Sequence, residues 1–326
     1  MRRSTLPQAL LTILAALGAP VPAAADAAPL KHVSVMLDWY PEAENGGYFD
    51  ALVNGYYRAA GLDVEVIPAA PNAAVEPQVA LGKVDFGLGS SDQTLIARAR
   101  GIPLVQVMGS LQHDPVGVMM HDESPVRSFA DLEGHTVATQ PGVPWFLFVV
   151  KKYHLDHVRV SPLSFDYAPF LHDPQYIQQC FITSEPPIMK HMGVKVRWLW
   201  AKDAGCDGYM ALDTSDRFLA ANPEAVRAFV AATIRGWRDY LTRPASADAE
   251  ILRRNPAMNQ LQLDLSRQVM IDYHLVDGNA AGTEIGNVDA KRIERQYHIL
   301  RDLGIISHDF DYQAAYSRDY LPPGLN

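Results

Sequence analysis

From His32 to Met108 the chain alternates short apolar runs with short helical patterns, and this alternation constrains the fold more than any other feature. His32-Val-Ser-Val-Met-Leu37, Gly61-Leu-Asp-Val-Glu-Val-Ile67, Val84-Asp-Phe-Gly-Leu88 and Leu104-Val-Gln-Val-Met108 read as strands. Between them the spacing predicts helices over 43–60, 75–81 and 93–100, the first and last closed by Gly61 and Gly101. Ser91 or Asp92 is the expected cap of the third. Parallel strands cannot be joined by a tight turn and need a crossover, usually a helix. The alternation therefore predicts an α/β architecture with a largely parallel sheet flanked by helices.

The pattern breaks over Gly109–Pro115, and a second unit of the same style follows. Its expected strands are 116–120, 136–139, 158–160 (with Ser164-Phe165), 180–183 and 194–199. A short helix is expected over 128–131. Trp145–Tyr153 is apolar almost all round, which predicts a buried helix. Gly208–Leu212 reads as a strand returning to the first unit. The remainder is helical: 213–220, 222 to about 242, 246–254, 260–273 and 289–303, with Asn222-Pro223-Glu224 a strong start signal. Residues 26–112 are the expected first part of one lobe, 113–208 a second lobe, and 209–326 the return to the first.

The first 25 residues read as a secretory signal peptide: Arg2-Arg3, an apolar core over Leu10–Leu17, and small residues ending Ala23-Ala-Ala25. No Cys follows it to carry a lipid anchor. No later apolar run is long enough to span a membrane. The expectation is an exported, soluble, periplasmic protein. The net charge is −9, and it becomes more negative once Arg2 and Arg3 leave. Nucleic-acid binding needs clustered Lys and Arg, so it is not expected. Cys180 and Cys206 could bridge or remain two buried thiols. The histidines are scattered without metal-ligand spacing, so no metal and no cofactor are expected.

Several segments in order carry a family resemblance: Leu37-Asp-Trp-Tyr-Pro41, Gly55-Tyr-Tyr-Arg-Ala-Ala-Gly-Leu-Asp-Val64, Leu81-Gly-Lys-Val-Asp-Phe-Gly87, Ser128-Phe-Ala-Asp-Leu-Glu-Gly134, Thr183-Ser-Glu-Pro186 and Asn222-Pro-Glu-Ala-Val226. Together they resemble the periplasmic solute-binding proteins of ABC importers. The branch they resemble binds thiamine pyrimidine precursors and is related to nitrate, sulfonate and taurine binders. The resemblance implies a type II two-lobe fold, with two crossing strands near 110–116 and 207–212 acting as a hinge that closes over a small ligand. It implies a membrane permease as partner, a monomer, and no chemistry on the ligand. Cytosolic relatives of this fold synthesise the pyrimidine with a cofactor-bearing Lys and His, and this chain lacks their Cys-rich loop.

A closing pocket takes its ligand groups from strand ends and helix starts of both lobes. The candidates in the first lobe are Asp38, Trp39, Tyr40, Ser90, Ser91 and Asp92. The second lobe offers Trp145, Tyr167, Thr183 and Glu185, and the crossings offer His113 and Tyr209. Each also has a structural reading. Asp38, Ser91 and Asp92 could be caps, Trp39, Trp145 and Tyr167 core, Glu185 a solvated turn acid, and His113 a satisfied structural histidine. The resemblance implies Glu185, Trp39 and Tyr209 as the anchors. The set is rich in aromatic and acidic groups and poor in Arg and Lys. That favours a neutral or cationic aromatic nitrogen heterocycle, such as the pyrimidine precursor, over a small anion. A flavin, a sulfonate or an aromatic acid remains as an alternative.

Overall fold

The computed structural model describes residues 29–325 apart from 71, 72, 165, 280 and 283; the expected signal peptide lies outside the described residues. The first unit comprises β1 (Lys31–Met36), α1 (Gly46–Val53), α2 (Tyr56–Ala59), β2 (Leu62–Ile67), α3 (Val75–Ala80), β3 (Phe86–Ser90), α4 (Ser91–Ala99) and β4 (Leu104–Leu111). The second comprises β5 (Val116–His121), β6 (Thr136–Ala138), α5 (Pro144–Tyr153), β7 (Arg159–Ser161), α6 (Ala168–His172), β8 (Ile177–Phe181), α7 (Glu185–His191) and β9 (Val196–Trp200). The chain then returns through β10 (Met210–Ser215) to α8 (Asp216–Ala221), α9 (Pro223–Tyr240), α10 (Ala245–Arg254), α11 (Gln260–Asp272) and α12 (Ala290–Asp302).

These strands form two five-stranded sheets, β2-β1-β3-β10-β4 and β7-β6-β8-β5-β9. In the first, β1 is parallel to β2 and β3, and β10 runs antiparallel between β3 and β4. In the second, β6 is parallel to β7 and β8, and β5 runs antiparallel between β8 and β9. The two sheets thus share one topology. In each, the antiparallel strand is the one that has just arrived from the other sheet. This is the two-lobe periplasmic-binding-protein architecture.

Several local expectations need correction. The helix expected over 43–60 is three pieces: a 3-10 turn (Ala43–Asn45), α1 and α2. Gly55, at φ +73°, turns the chain between α1 and α2, a conformation glycine adopts without a Cβ clash. The glycines at the start of α1 serve packing. A Cβ on Gly46 would lie 2.1 Å from the Tyr240 ring, and one on Gly47 would lie 2.4 Å from Trp237. Gly236 of α9 answers them, since its Cβ would meet Gly47 O at 2.1 Å. Helices α1 and α9 therefore touch backbone to ring, over a core where Phe86 stacks on Phe229 at 4.3 Å and Tyr57 on Phe229 at 5.0 Å.

The cap of α4 is Ser90, not Ser91 or Asp92: its backbone N–H donates to Gln93 Oε1 at 3.1 Å, half of a capping box. Strand β8 ends at Phe181, two residues before the expected end. Pro186 and Pro187 fall in the first turn of α7, where a missing N–H breaks no helical bond. Helix α5 buries only Trp145, Phe146 and Val149, and Leu147 is exposed. Strand β10 runs three residues further than expected, and Ser215 Oγ accepts the Phe218 N–H at 3.2 Å to start α8.

Candidate ligand-binding cleft

The chain passes between the sheets at 112–115 and again over 201–209. The two crossings lie side by side: Asp114 N–H donates to Gly208 O at 2.9 Å, and Trp200 Nε1 donates to Asp114 O at 2.8 Å. Leu275 O accepts the N–H groups of both Gln112 and His113, at 2.5 and 3.2 Å. His113 Nδ1 lies 2.7 Å from Asp207 Oδ1, and Arg292 Nε lies 3.7 Å from Asp207 Oδ2. The lobes also meet away from the crossings. Helix α11 packs against α7, and Lys151 of α5 donates to the carbonyl of Asp302 at the end of α12.

Between the lobes lies a cavity of about 600 Å³. The loop after β1 brings Asp38, Trp39, Glu42 and Glu44, and Glu76 comes from α3. The β3–α4 junction brings Ser90 and Asp92, and Asp114 comes from the first crossing. The second lobe contributes Gln140, Trp145, Ser164, Tyr167, Gln178, Gln179, Phe181 and Glu185. Seven carboxylates line the cavity, and no Lys, Arg or His lines it among the described residues.

Burial, reinforced by neighbouring acids, pushes these carboxyls upward. Asp38 rises from 3.8 to about 6. Asp114 rises from 3.8 to about 7, and Glu185 from 4.5 to about 7. Glu42, Glu44, Glu76 and Asp92 move in the same direction, burial again being the main cause. Part of the acid set is already engaged. Glu185 Oε2 accepts the Phe181 N–H at 2.8 Å, and Asp92 Oδ1 accepts the Gln93 N–H at 2.9 Å. The Thr183 hydroxyl approaches the Glu44 carboxylate without closing a hydrogen bond. Glu44 Oε1 and Gln178 Oε1 have no hydrogen-bond partner among the described residues.

Of the residues expected from sequence, the cavity wall includes Asp38, Trp39, Ser90, Asp92, Trp145, Tyr167 and Glu185. Five lie elsewhere. Tyr40 faces outward, 46% exposed, with its ring edge-on to Trp39 at 5.8 Å. Ser91 is buried and clasps the second crossing: its hydroxyl accepts the Tyr209 N–H at 3.0 Å and donates to Gln296 Oε1 at 2.7 Å. Tyr209 is fully buried; its hydroxyl accepts the Asp289 N–H at 2.9 Å, and Arg292 sits 4.5 Å from its ring. His113 is held in the first crossing by Asp207, and Thr183 is buried. Sequence reasoning passed over Glu42, Glu44, Glu76, Asp114 and the glutamines. The acid run Asp38-Trp-Tyr-Pro-Glu-Ala-Glu44 was a readable signal. Glu76, Asp114 and Gln296 reach the cavity only through the fold.

Cys180 and Cys206 both line the cavity and are unpaired, and burial raises both thiols well above their ordinary value. Such thiols stay protonated and unreactive.

The fold and the cleft define a two-lobe solute-binding architecture. The chain belongs to the NMT1/THI5-like family, whose model matches residues 43–247. It is 26% identical to the riboflavin-binding protein RibY of Chloroflexus aurantiacus, over 99% of each chain. It is 27% identical to the formylaminopyrimidine-binding protein of Halalkalibacterium halodurans, over 73% of this chain and 75% of that one. A Saccharomyces cerevisiae 4-amino-5-hydroxymethyl-2-methylpyrimidine phosphate synthase, THI11, is 25% identical over 70% of this chain and 72% of its own. Among solved structures, the periplasmic aliphatic sulphonate binding protein SsuA of Escherichia coli superposes with a TM-score of 0.65 at 16% identity, over 87% of this chain and 91% of that one.

Proposed function

We propose that the protein is the substrate-binding component of an ABC uptake transporter. It works in the periplasm as a monomer, captures a small aromatic nitrogen heterocycle by hinge closure, and delivers it to a membrane permease. A pyrimidine of the thiamine-precursor kind is the first expectation and a flavin the alternative. The observation that carries this reading is the composition of the cleft. Trp39, Trp145, Tyr167 and Phe181 offer flat faces, and the polar groups around them are mostly acceptors. Ring N–H and exocyclic amino groups need acceptors, and a nitrate or sulfonate needs cationic donors, which the cleft wall lacks among the described residues. The named relatives that bind a flavin and a formylaminopyrimidine support the heterocycle.

Calorimetry on the mature chain with pyrimidines, riboflavin, an alkanesulfonate and an aromatic acid tests the reading. Tight binding of a pyrimidine or riboflavin is the expected result, and preference for the sulfonate or the aromatic acid would overturn it.

A synthase reading has one observation in its favour, the likeness to the yeast enzyme. The resemblance assigns that chemistry to a cofactor-bearing Lys and His, and the cleft wall here carries neither among the described residues. Incubation with pyridoxal phosphate should give no stoichiometric Schiff-base absorbance; such an adduct would restore the enzyme.

A further inference from the structure

The cleft concentrates seven acidic side chains without a protein counter-charge among the described residues. Several buried or half-buried acids elsewhere have a counter-charge: Asp248 with Arg267 at 3.1 Å, Glu250 with Arg254 at 2.6 Å, and Asp239 with Arg243 at 2.6 Å, while Asp50 and Asp213 rely on Asn54 and Thr94. Among the described residues the cleft wall offers these acids no Lys, Arg or His. Asp38, Glu42 and Glu44 of the first lobe repel one another and reach across to Glu185 of the second. Leaving buried like charges together is costly, and a protein keeps them where something else completes the site. An inorganic cation does not fit the spacing: among the described residues no three His, Cys, Asp or Glu are grouped to hold a metal ion.

A second observation is independent of the acids. Gln178 lines the cavity at 3% exposure, and its Oε1 has no hydrogen-bond partner among the described residues. A buried acceptor left unpaired costs free energy that a donor on a bound molecule recovers.

We propose that the cleft is built for an organic cation, a flat heterocycle carrying a protonated amine, with the ammonium seated between Glu42 and Glu44 of the first lobe and Glu185 of the second. This rests on the heterocycle-capture reading and adds a charge to it. It also gives closure a cause. Empty, closing the lobes brings acids together and favours their protonated forms; a cation between them favours the ionised forms and draws both lobes to it. Only a ligand with a differential interaction for the closed state shifts the hinge equilibrium, and a cation touching both lobes has one.

The test is calorimetry on the mature chain at pH 7 with three probes. They are 4-amino-5-(aminomethyl)-2-methylpyrimidine, its N-formyl derivative with the same ring and no charge, and 1,4-diaminobutane with charge and no ring. The amine should bind about tenfold or more tighter than the formyl derivative. Glu42→Gln and Glu185→Gln should erase most of that preference and raise the unfolding temperature of the empty protein. Equal or tighter binding of the formyl derivative overturns the proposal and leaves heterocycle capture standing. Binding of diaminobutane without either pyrimidine supports the cation and overturns the heterocycle. Binding of none of the three overturns the proposal. The probe comparison on the unsubstituted chain decides on its own if a variant does not fold.

Discussion

The two lobes share one strand order and put opposite chemistry on the cleft. The first lobe brings five acids, Asp38, Glu42, Glu44, Glu76 and Asp92, and one aromatic, Trp39. The second brings three aromatics, Trp145, Tyr167 and Phe181, with three glutamines and the single acid Glu185. Topology therefore sets where ligand-facing groups emerge, at strand ends beside the crossings. The residues at those points set the chemistry of each lobe separately. One wall supplies charge and the other supplies faces.

That contrast can be broken most forcefully at Trp145. The residue is 7% exposed, with its ring edge-on to Phe146 at 5.3 Å, so it belongs to the second lobe's core as well as to the wall. Trp145→Ala should cost about 3–5 kcal/mol of stability in chemical denaturation. A loss under about 1 kcal/mol would make it a wall residue alone. Next is the acid on the aromatic side. Glu185→Gln should weaken ligand binding by about 1.5–3 kcal/mol by calorimetry, the worth of a hydrogen bond to a charged group. An unchanged affinity would leave the charge wholly to the first lobe.

The acid wall also has a pH signature. Folding raises Asp38 from 3.8 to about 6, and Asp114 and Glu185 to about 7, so the empty folded protein binds more protons than the unfolded chain between pH 4 and 7. Stability is then greatest below this window and falls as pH rises through the folded values. A flat or rising profile in thermal unfolding would mean that water or counter-ions already neutralise the wall. The smallest effect belongs to Tyr167, which is only partly buried. Tyr167→Ala should take about 0.5–1.5 kcal/mol from heterocycle binding and hardly move the unfolding temperature. A large drop in that temperature would assign the ring to the core.

The layout was legible because it is written in period and punctuation. Strand and helix alternation, the break at Gly109–Pro115 and the Asn222-Pro223 helix start are all local. The cavity wall was legible where strand ends named it, as at Asp38, Trp39, Asp92 and Glu185. It was illegible where distant segments converge. Glu76 reaches the cavity from α3, Asp114 from a crossing and Gln296 from the last helix. Tyr209 and Ser91 misled for the opposite reason. Both stand beside cleft residues in sequence, yet each spends its hydroxyl on bonds that hold the second crossing in place. The role of Gly46 and Gly47 is not visible without α9.

Those two glycines bear on the entropy of capture. Because α1 begins with residues that admit the rings of Trp237 and Tyr240, the chain just before it has little freedom left once the first lobe is folded. Glu42 and Glu44 sit on that short lead-in. Their positions are fixed by folding and not by the ligand, so binding need not order them again. A bulkier residue at Gly47 would act on affinity from behind the site, by loosening the wall without touching the ligand.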